Sequence, residues 1–274
     1  GANVYGRLMQ IFYHSDRRYD SGLFDFKKDR ITPNLTVDDR VIKEIIKSVY
    51  YPDSPYEFSV FDVEILGNIY EQFLGKTIRL TPAHLVKVEE KPEVKKAGGV
   101  YYTPKYIVDY IVKNTVGELI KKKTPKQIEK IRILDPACGS GSFLLGAYQC
   151  LLDYHLNWYS RDEHCKRALK QGRIIQRGKD SYQLSVEEKQ KILTNSIFGV
   201  DIDSQAVEVS KLSLLLKLLE GETEESTGKL FKYSQIKLLP DLSNNIKCGN
   251  SLIGTDYFEG RITGTIDEDE LRKI

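Results

Sequence analysis

One stretch decides the fold class of this sequence: Ile131-Arg132-Ile133-Leu134-Asp135-Pro136-Ala137-Cys138-Gly139-Ser140-Gly141-Ser142-Phe143. Its β-branched, apolar beginning is typical of a buried parallel strand. The chain then turns at Asp135-Pro136 and continues from Phe143 with the length and composition of a helix. Gly139 and Gly141 permit positive φ angles and let a ligand lie close to the backbone, and the helix start offers free N–H groups. The stretch therefore predicts the first strand, turn and helix of a nucleotide-binding α/β sheet.

Two common nucleotide-binding loops do not fit this stretch. A phosphate-binding loop ends in Gly-Lys-Ser/Thr, which is absent, and a dinucleotide fingerprint needs a third glycine where Leu144 stands. The stretch instead resembles motif I of the S-adenosylmethionine-dependent, adenine-specific DNA methyltransferases, Asp-Pro-Ala-Cys-Gly-Ser-Gly-Ser/Thr-Phe. The resemblance implies that these residues bind the cofactor S-adenosyl-L-methionine: Asp135, Pro136, Ala137, Cys138, Gly139, Ser140, Gly141 and Phe143.

A second apolar strand, Ile197-Phe198-Gly199-Val200-Asp201-Ile202-Asp203, ends in acidic residues. A carboxylate at the carboxyl end of a strand accepts hydrogen bonds from both hydroxyls of an adenosine ribose. The cap of the following helix requires only Asp203 or Ser204, which leaves Asp201 available for a ligand. The string resembles motif II of the same methyltransferases, and the resemblance implies that Asp201 and Ile202 bind the cofactor.

A third segment, Leu242 to Gly254, resembles motif III, with Ile246 to Cys248 as its strand. Asn250 stands where many relatives carry Asp, and its carbonyl oxygen is able to accept from the amino group of the cofactor's adenine. The alternative is an Asn that only stabilises a turn. The resemblance implies that Asn250, Ser251 and Leu252 contact the cofactor.

The string Gly99-Val100-Tyr101-Tyr102-Thr103-Pro104 precedes motif I. Helix capping alone explains its end, with Thr103 as the cap and Pro104 as the first helical residue. The string also resembles motif X, which lies beside the methionine end of the cofactor, and this implies cofactor contacts from Tyr101, Tyr102, Thr103 and Pro104. A motif X that precedes motif I is the order found in the gamma class of amino-methyltransferases.

Two regions follow from this order of motifs: a mostly helical region at residues 1–96 and a cofactor-binding methyltransferase domain at residues 97–274. The predicted helix Phe61 to Gly75 is similar to the helix before the cofactor domain in type I and type IIG restriction-modification methyltransferases. Residues 156–190 form a basic insertion, predicted to be a helical hairpin. Its Lys and Arg side chains are either solvated or in contact with DNA phosphates.

Composition narrows the remaining possibilities. A hydrophobic content of 41% suits a folded core, and a net charge of +2 neither indicates nor excludes nucleic acid. The four cysteines are scattered without Cys-x-x-Cys spacing, which argues against a zinc site and favours the reducing cytoplasm. No apolar run is long enough to predict a membrane span or a signal peptide.

The catalytic loop of adenine methyltransferases, Asn/Asp/Ser-Pro-Pro-Tyr/Phe, is missing, since no two prolines are adjacent in this sequence. We therefore assign no catalytic residue and interpret the chain as a fragment of a larger restriction-modification enzyme that methylates adenine in double-stranded DNA. The fragment is expected to be inactive alone. The predicted fold is α/β: a Rossmann-like methyltransferase sheet, incomplete, behind a helical N-terminal region.

Two alternatives to this interpretation follow from the missing loop. The chain acts instead on RNA, protein or a small molecule, or it is an inactive cofactor-binding or assembly module. Its expected partners are DNA and the remaining catalytic and target-recognition parts of the parent enzyme. An exposed sheet edge also suits a homodimer.

Overall fold

The computed structural model describes residues 3–19, 26, 29–54, 63–74, 76–90, 103–179, 181–222 and 239–253. The N-terminal part of these residues contains three α-helices, α1 (Val4–Tyr19), α2 (Asp39–Ser48) and α3 (Val63–Leu74), and a short 3₁₀ turn at Thr32–Asn34. Two antiparallel strands follow, β1 (Lys76–Leu80) and β2 (Val86–Glu90). This agrees with the helical N-terminal region expected from the sequence.

A parallel sheet forms the centre of the second region. Its strands are β3 (Ile133–Asp135), β6 (Ile197–Asp201) and β7 (Ile246–Cys248), in the order β3-β6-β7. Asp135 pairs with Gly199, and Asp201 pairs with Cys248. Because all three strands run in one direction, their carboxyl ends meet at one edge of the sheet. The α/β fold and its three predicted strands are confirmed.

Helices connect these strands and supply most of the core. The remaining elements are α4 (Lys105–Val112), a π-helical turn (Lys113–Gly117), α5 (Glu118–Ile120), α6 (Pro125–Ile128), α7 (Ser142–Tyr159), α8 (Asp162–Lys170), β4 (Ile174–Gln176), β5 (Tyr182–Leu184), α9 (Val186–Ser196) and α10 (Ser204–Leu219). Leu144, Tyr148 and Leu151 of α7 are almost completely buried beside Leu214 and Leu218 of α10 in one hydrophobic cluster. No helix in the described ranges has the length and apolar character that a bilayer span requires.

The basic insertion differs from the predicted helical hairpin. Only α8 is an additional helix, and the chain then forms a two-stranded antiparallel sheet, β4 and β5. The sequence Ser185-Val186-Glu187-Glu188 has the pattern of a capping box, which predicts reciprocal bonds at the start of α9, and only half of the box forms. The Ser185 hydroxyl accepts from the N–H of Glu188 at 3.3 Å, but the Glu188 carboxylate binds Arg173 at 2.7 Å and the Tyr159 hydroxyl at 2.8 Å. Charge-assisted tertiary bonds thus replace the local one.

The start of α4 also differs from its prediction. The helix begins at Lys105, and the carbonyl of Pro104 accepts the first helical hydrogen bonds, so Pro104 and not Thr103 is the cap residue. The Thr103 side chain makes no capping bond to this helix. A proline at the cap is tolerated because the cap N–H takes no part in the helix.

Gly199 offers a direct test of the contact between strand β6 and the loop after β3. A Cβ atom at Gly199 would lie 2.7 Å from Cδ1 of Leu144 and 3.0 Å from Sγ of Cys138. Gly199→Ala is expected to lower the free energy of unfolding by about 1–3 kcal/mol through overpacking. Urea denaturation measures this. Gly178→Ala is the control, because its Cβ would meet only Ser181 at 3.7 Å; equal losses for both variants would contradict the packing.

Candidate cofactor site

Asp201 lies at the centre of the edge where the strands end. One carboxylate oxygen accepts from the backbone N–H of Gly139 at 2.7 Å, in the loop after β3. The other accepts from the backbone N–H of Asp203 at 2.9 Å, where α10 begins. Each oxygen keeps a lone pair for a further donor. The half-buried carboxylate thus joins two loops and remains able to bind a ligand hydroxyl.

Backbone hydrogen bonds bring the ends of all three strands together. The N–H of Cys138 donates to the carbonyl of Val200 at 2.9 Å, and the N–H of Gly249 donates to the carbonyl of Asp201 at the same distance. Asn250 follows Gly249 directly. The structure therefore places the motif I loop, Asp201 and the motif III turn at a single edge, as the sequence predicts.

The shape of the motif I loop depends on two glycines with positive φ, Gly139 at +52° and Gly141 at +91°. The Ser210 hydroxyl of α10 donates to the carbonyl of Gly139 at 2.7 Å. A Cβ atom at Gly141 would lie only 2.9 Å from that hydroxyl oxygen. Both the backbone conformation and the close approach of α10 therefore require glycine at position 141.

The Cys138 thiol does not act as a nucleophile here. The side chain is 6% exposed, and burial, with help from the carboxylates of Asp135 and Asp201, raises the pKa of Cys138 to about 11. The thiolate is the reactive form of cysteine, and it is scarce at neutral pH when the pKa is this high. Cys138 thus contributes packing and its backbone N–H, not covalent chemistry.

Several predicted cofactor residues present accessible surface at this edge. Ile202 is 70% exposed and Leu252 is 93% exposed, although both are apolar. The Asn250 carbonyl oxygen accepts from the N–H of Leu252 at 3.0 Å. The turn-forming role, which the sequence leaves as the alternative for Asn250, is therefore present. The same oxygen has a second lone pair, so the two roles are compatible.

The structure describes two of the four predicted motif X residues. Thr103 and Pro104 lie just before α4, whereas Tyr101 and Tyr102 fall outside the described residues. Helix α4 packs against the motif I helix α7, and a Cβ atom at Gly146 would lie 2.6 Å from Cγ1 of Val108. The assignment of this group to the methionine end of the cofactor stays a prediction.

Helix α3 of the N-terminal region contacts this edge, which the sequence does not reveal. The Tyr70 hydroxyl donates to the Asp203 carboxylate at 3.1 Å. A Cβ atom at Gly67 would lie 3.0 Å from the hydroxyl oxygen of Ser140. Burial and the carboxylates of Asp203 and Asp201 raise the pKa of Tyr70 well above its usual value, so the hydroxyl remains a donor.

The sequence contains weak signals for these contacts. Tyr70 lies among the apolar residues of the predicted helix Phe61 to Gly75, and Ser210 and Ser213 lie among the apolar residues of α10. Both serines are completely buried. A buried hydroxyl usually has a partner, as Ser210 has in the Gly139 carbonyl. The described residues contain no cluster of His, Cys, Asp or Glu suited to a metal ion.

Residues 113–260 match the protein family described as MmeI, DNA-methyltransferase domain. The match covers more than half of the sequence and includes the motif I loop, Asp201 and the motif III turn. The chain belongs to this family. The DNA methyltransferase resemblance read from these motifs is thereby confirmed.

Curated relatives extend the likeness into the N-terminal region. The chain is 39% identical over 246 residues to the type II restriction enzyme and methyltransferase RM.Eco57I of Escherichia coli, an alignment covering 90% of this chain and 23% of that protein. It is 28% identical to a putative type II restriction enzyme and methyltransferase, RM.MjaORFECS2P, of Methanocaldococcus jannaschii, covering 80% of the chain and 22% of that protein. It is also 28% identical to the adenine-specific methyltransferase BrxX of Escherichia coli O9:H4, covering 67% and 15%. The chain thus spans a quarter or less of the length of these relatives.

The hydrogen bond of Tyr70 predicts a measurable link between α3 and the motif II cap. Tyr70→Phe removes the hydroxyl donor to the Asp203 carboxylate and keeps the ring, so we expect a loss of about 1.5–3 kcal/mol in the free energy of unfolding, measured in urea. Tyr110→Phe is the matched control, since Tyr110 is 70% exposed and its hydroxyl has no hydrogen bond to any described residue. An unchanged free energy of unfolding in Tyr70→Phe would show that this hydrogen bond contributes nothing to stability.

Proposed function

We propose that this chain binds S-adenosyl-L-methionine and is the cofactor-binding part of an adenine-specific DNA methyltransferase in a restriction-modification enzyme. One observation carries the proposal: the Asp201 carboxylate lies at the junction of the motif I loop and the motif III turn, with a lone pair free on each oxygen. Family membership favours DNA over RNA, protein or a small molecule as the substrate class.

The ribose of the cofactor fits Asp201. Its two vicinal hydroxyls are donors, and a carboxylate that already accepts one N–H on each oxygen keeps one acceptor position on each. The backbone N–H groups of Gly139 and Asp203 fix the orientation of this carboxylate. The ligand therefore meets an acceptor that is already oriented, which lowers the entropic cost of binding.

The other cofactor contacts follow from the neighbouring residues. Ile202 and Leu252 expose apolar surface that suits the faces of an adenine ring, and Asn250 offers an acceptor for the adenine amino group. The glycine turn of the motif I loop leaves space beside its backbone for the remainder of the ligand. When bound, the cofactor supplies an electrophilic methyl group, and these residues hold and orient it.

The DNA substrate and the adenine target rest on the family and on the names of the relatives. Adenine methylation inside a duplex also requires that the target base is rotated out of the stack and held by an aromatic residue. The sequence contains no Asn/Asp/Ser-Pro-Pro-Tyr/Phe loop for this step. We therefore assign cofactor binding to this chain and the methyl-transfer step to residues that it does not contain.

The remaining expectations about location and assembly stay predictions. A cytoplasmic location suits a restriction-modification enzyme. A homodimer through the sheet edge is consistent with β3, which pairs on one side only within the described residues. Sedimentation at several protein concentrations measures the oligomeric state directly.

Asp201→Asn tests the ribose contact. The variant loses the charge and sets an amide NH₂ against one of the two backbone N–H donors. A hydrogen bond to a charged group contributes about 1.5–3 kcal/mol, so we expect the dissociation constant for S-adenosylmethionine to rise by about 10- to 100-fold in calorimetry. Asp162→Asn, an exposed carboxylate in the first turn of α8, is the control and should bind as the wild type does.

A cofactor analogue separates direct contact from distortion of the loop. S-adenosylhomocysteine without its 2′-hydroxyl should bind the wild type more weakly than the intact molecule, but should lose little further affinity in Asp201→Asn. This is the non-additivity expected for two groups that touch. If the affinity losses from the missing 2′-hydroxyl and from Asp201→Asn simply multiply, then Asp201 acts only on the loop and our ribose assignment is wrong.

Methyl transfer by the chain alone gives a second test. The purified protein, saturated with tritiated S-adenosylmethionine, should bind the cofactor and transfer no label to adenine-containing duplex DNA, because the loop that holds the target base is missing. Label retained in the DNA above the level of a no-protein control would refute the division of roles proposed here.

A further inference from the structure

A cavity lies far from the candidate cofactor site. It has a volume of about 500 Å³, and its wall combines cationic side chains of three segments with the ring of Trp158. Lys126 and Glu129 come from the segment before β3, Arg167 from α8, and Lys191 from α9, which leads directly into β6. The cavity therefore lies where the strands begin, and the cofactor edge lies where they end.

Helix α7 gives the distance between the two sites. The helix starts beside the motif I loop and its last two residues, Trp158 and Tyr159, line the cavity. It has 18 residues, which corresponds to about 27 Å at a rise of 1.5 Å per residue. No small molecule spans this distance, so the cavity is separate from the cofactor site.

The charges of the cavity favour an anion. Four side chains in the wall are cationic, Lys126, Arg167, Arg173 and Lys191, against a single carboxylate, Glu129. Lys191 neutralises that carboxylate at 2.6 Å. The Arg173 charge is balanced by Glu188 at 2.7 Å, beneath the wall. This leaves Lys126 and Arg167 as cations that have no ion pair with any described residue.

The positive surface continues beyond the cavity. Lys170 follows Arg167 by three residues on α8 and therefore lies on the same side of that helix. Lys122 and Lys130 flank the segment that carries Lys126, and both are exposed. Such an extended basic surface suits a polymer of phosphates better than a single small anion.

The Trp158 ring already packs against two side chains of this protein. The His164 ring is parallel to it with centroids 4.8 Å apart, and the Arg161 guanidinium lies 5.1 Å from its centroid. The cations of the wall, rather than the Trp158 ring, are therefore the groups that favour a ligand here. Contact through cations is a form of contact that proteins make with a nucleic-acid backbone.

We propose that this cavity binds a phosphate group through Lys126 and Arg167, and that the phosphate belongs to the backbone of duplex DNA. The assignment of the phosphate to DNA rests on the proposed function, whereas the binding of a phosphate group by this cavity does not. The contact positions DNA at the strand-beginning side of the sheet, away from the cofactor.

Trp158 provides the measurement, because it is the only tryptophan in the sequence. Inorganic pyrophosphate, added to the full chain, should change its emission in a saturable way. The double variant Lys126→Gln, Arg167→Gln should bind pyrophosphate at least about ten-fold more weakly. A control of equal charge, Lys43→Gln with Lys87→Gln on the exposed surface of α2 and β2, should bind as the wild type does.

Duplex DNA distinguishes the source of the phosphate. DNA should displace pyrophosphate, and the slope of log affinity against log salt should be smaller by roughly one in the double variant, since each phosphate contact contributes about 0.9. If pyrophosphate binding depends on the two cations but the DNA affinity and slope do not, the natural ligand is a free phosphate compound. Unchanged Trp158 emission, or equal pyrophosphate binding by the double variant, would overturn the site. Saturation with S-adenosylmethionine should leave pyrophosphate binding unaltered, so this test does not depend on the cofactor assignment.

Discussion

The cofactor edge depends on one carboxylate that accepts two backbone N–H groups. Asp201 holds the N–H of Gly139 at 2.7 Å and that of Asp203 at 2.9 Å. Charge-assisted hydrogen bonds of this kind are stronger than neutral ones, and without them two partly buried N–H donors would lose their acceptor. The same side chain therefore maintains the shape of the site and takes part in the proposed recognition of the ribose.

The edge is built from more than the segment that matches the family. Residues 113–260 supply the strand ends, but Tyr70 and Gly67 of α3 reach Asp203 and Ser140 from the N-terminal region. A chain of hydrogen bonds thus runs from Tyr70 through Asp203 and Asp201 to Gly139. Any ligand that orders this edge also stabilises the packing of α3, and the reverse holds by thermodynamic linkage.

The sequence predicts what local rules control and fails where distant parts of the chain compete. The three strands and the meeting of their ends are predictable, because apolar runs and glycine turns leave few other arrangements of a parallel sheet. The hairpin β4–β5 was predicted to be helical from its basic composition, which does not encode strand pairing. The Glu188 side chain was predicted to cap its own helix, but Arg173 and Tyr159 offer it stronger partners that only the fold brings near. Tyr70 and Ser210 were missed as site residues for the same reason.

The two ends of the sheet carry opposite charges and therefore favour different ligands. Asp135, Asp201 and Asp203 give the cofactor edge a negative character, and after burial the first two of these carboxylates contribute to the raised pKa of Cys138. Such an edge attracts the sulfonium and ammonium groups of the proposed cofactor but repels DNA phosphates. A duplex that brings its base to this edge must therefore be held by cations elsewhere. Within the described part of the chain, the cations at the other end of α7 are positioned to attract DNA: Lys126, Arg167 and Lys170. The ionic strength of the solution then controls DNA binding more strongly than cofactor binding.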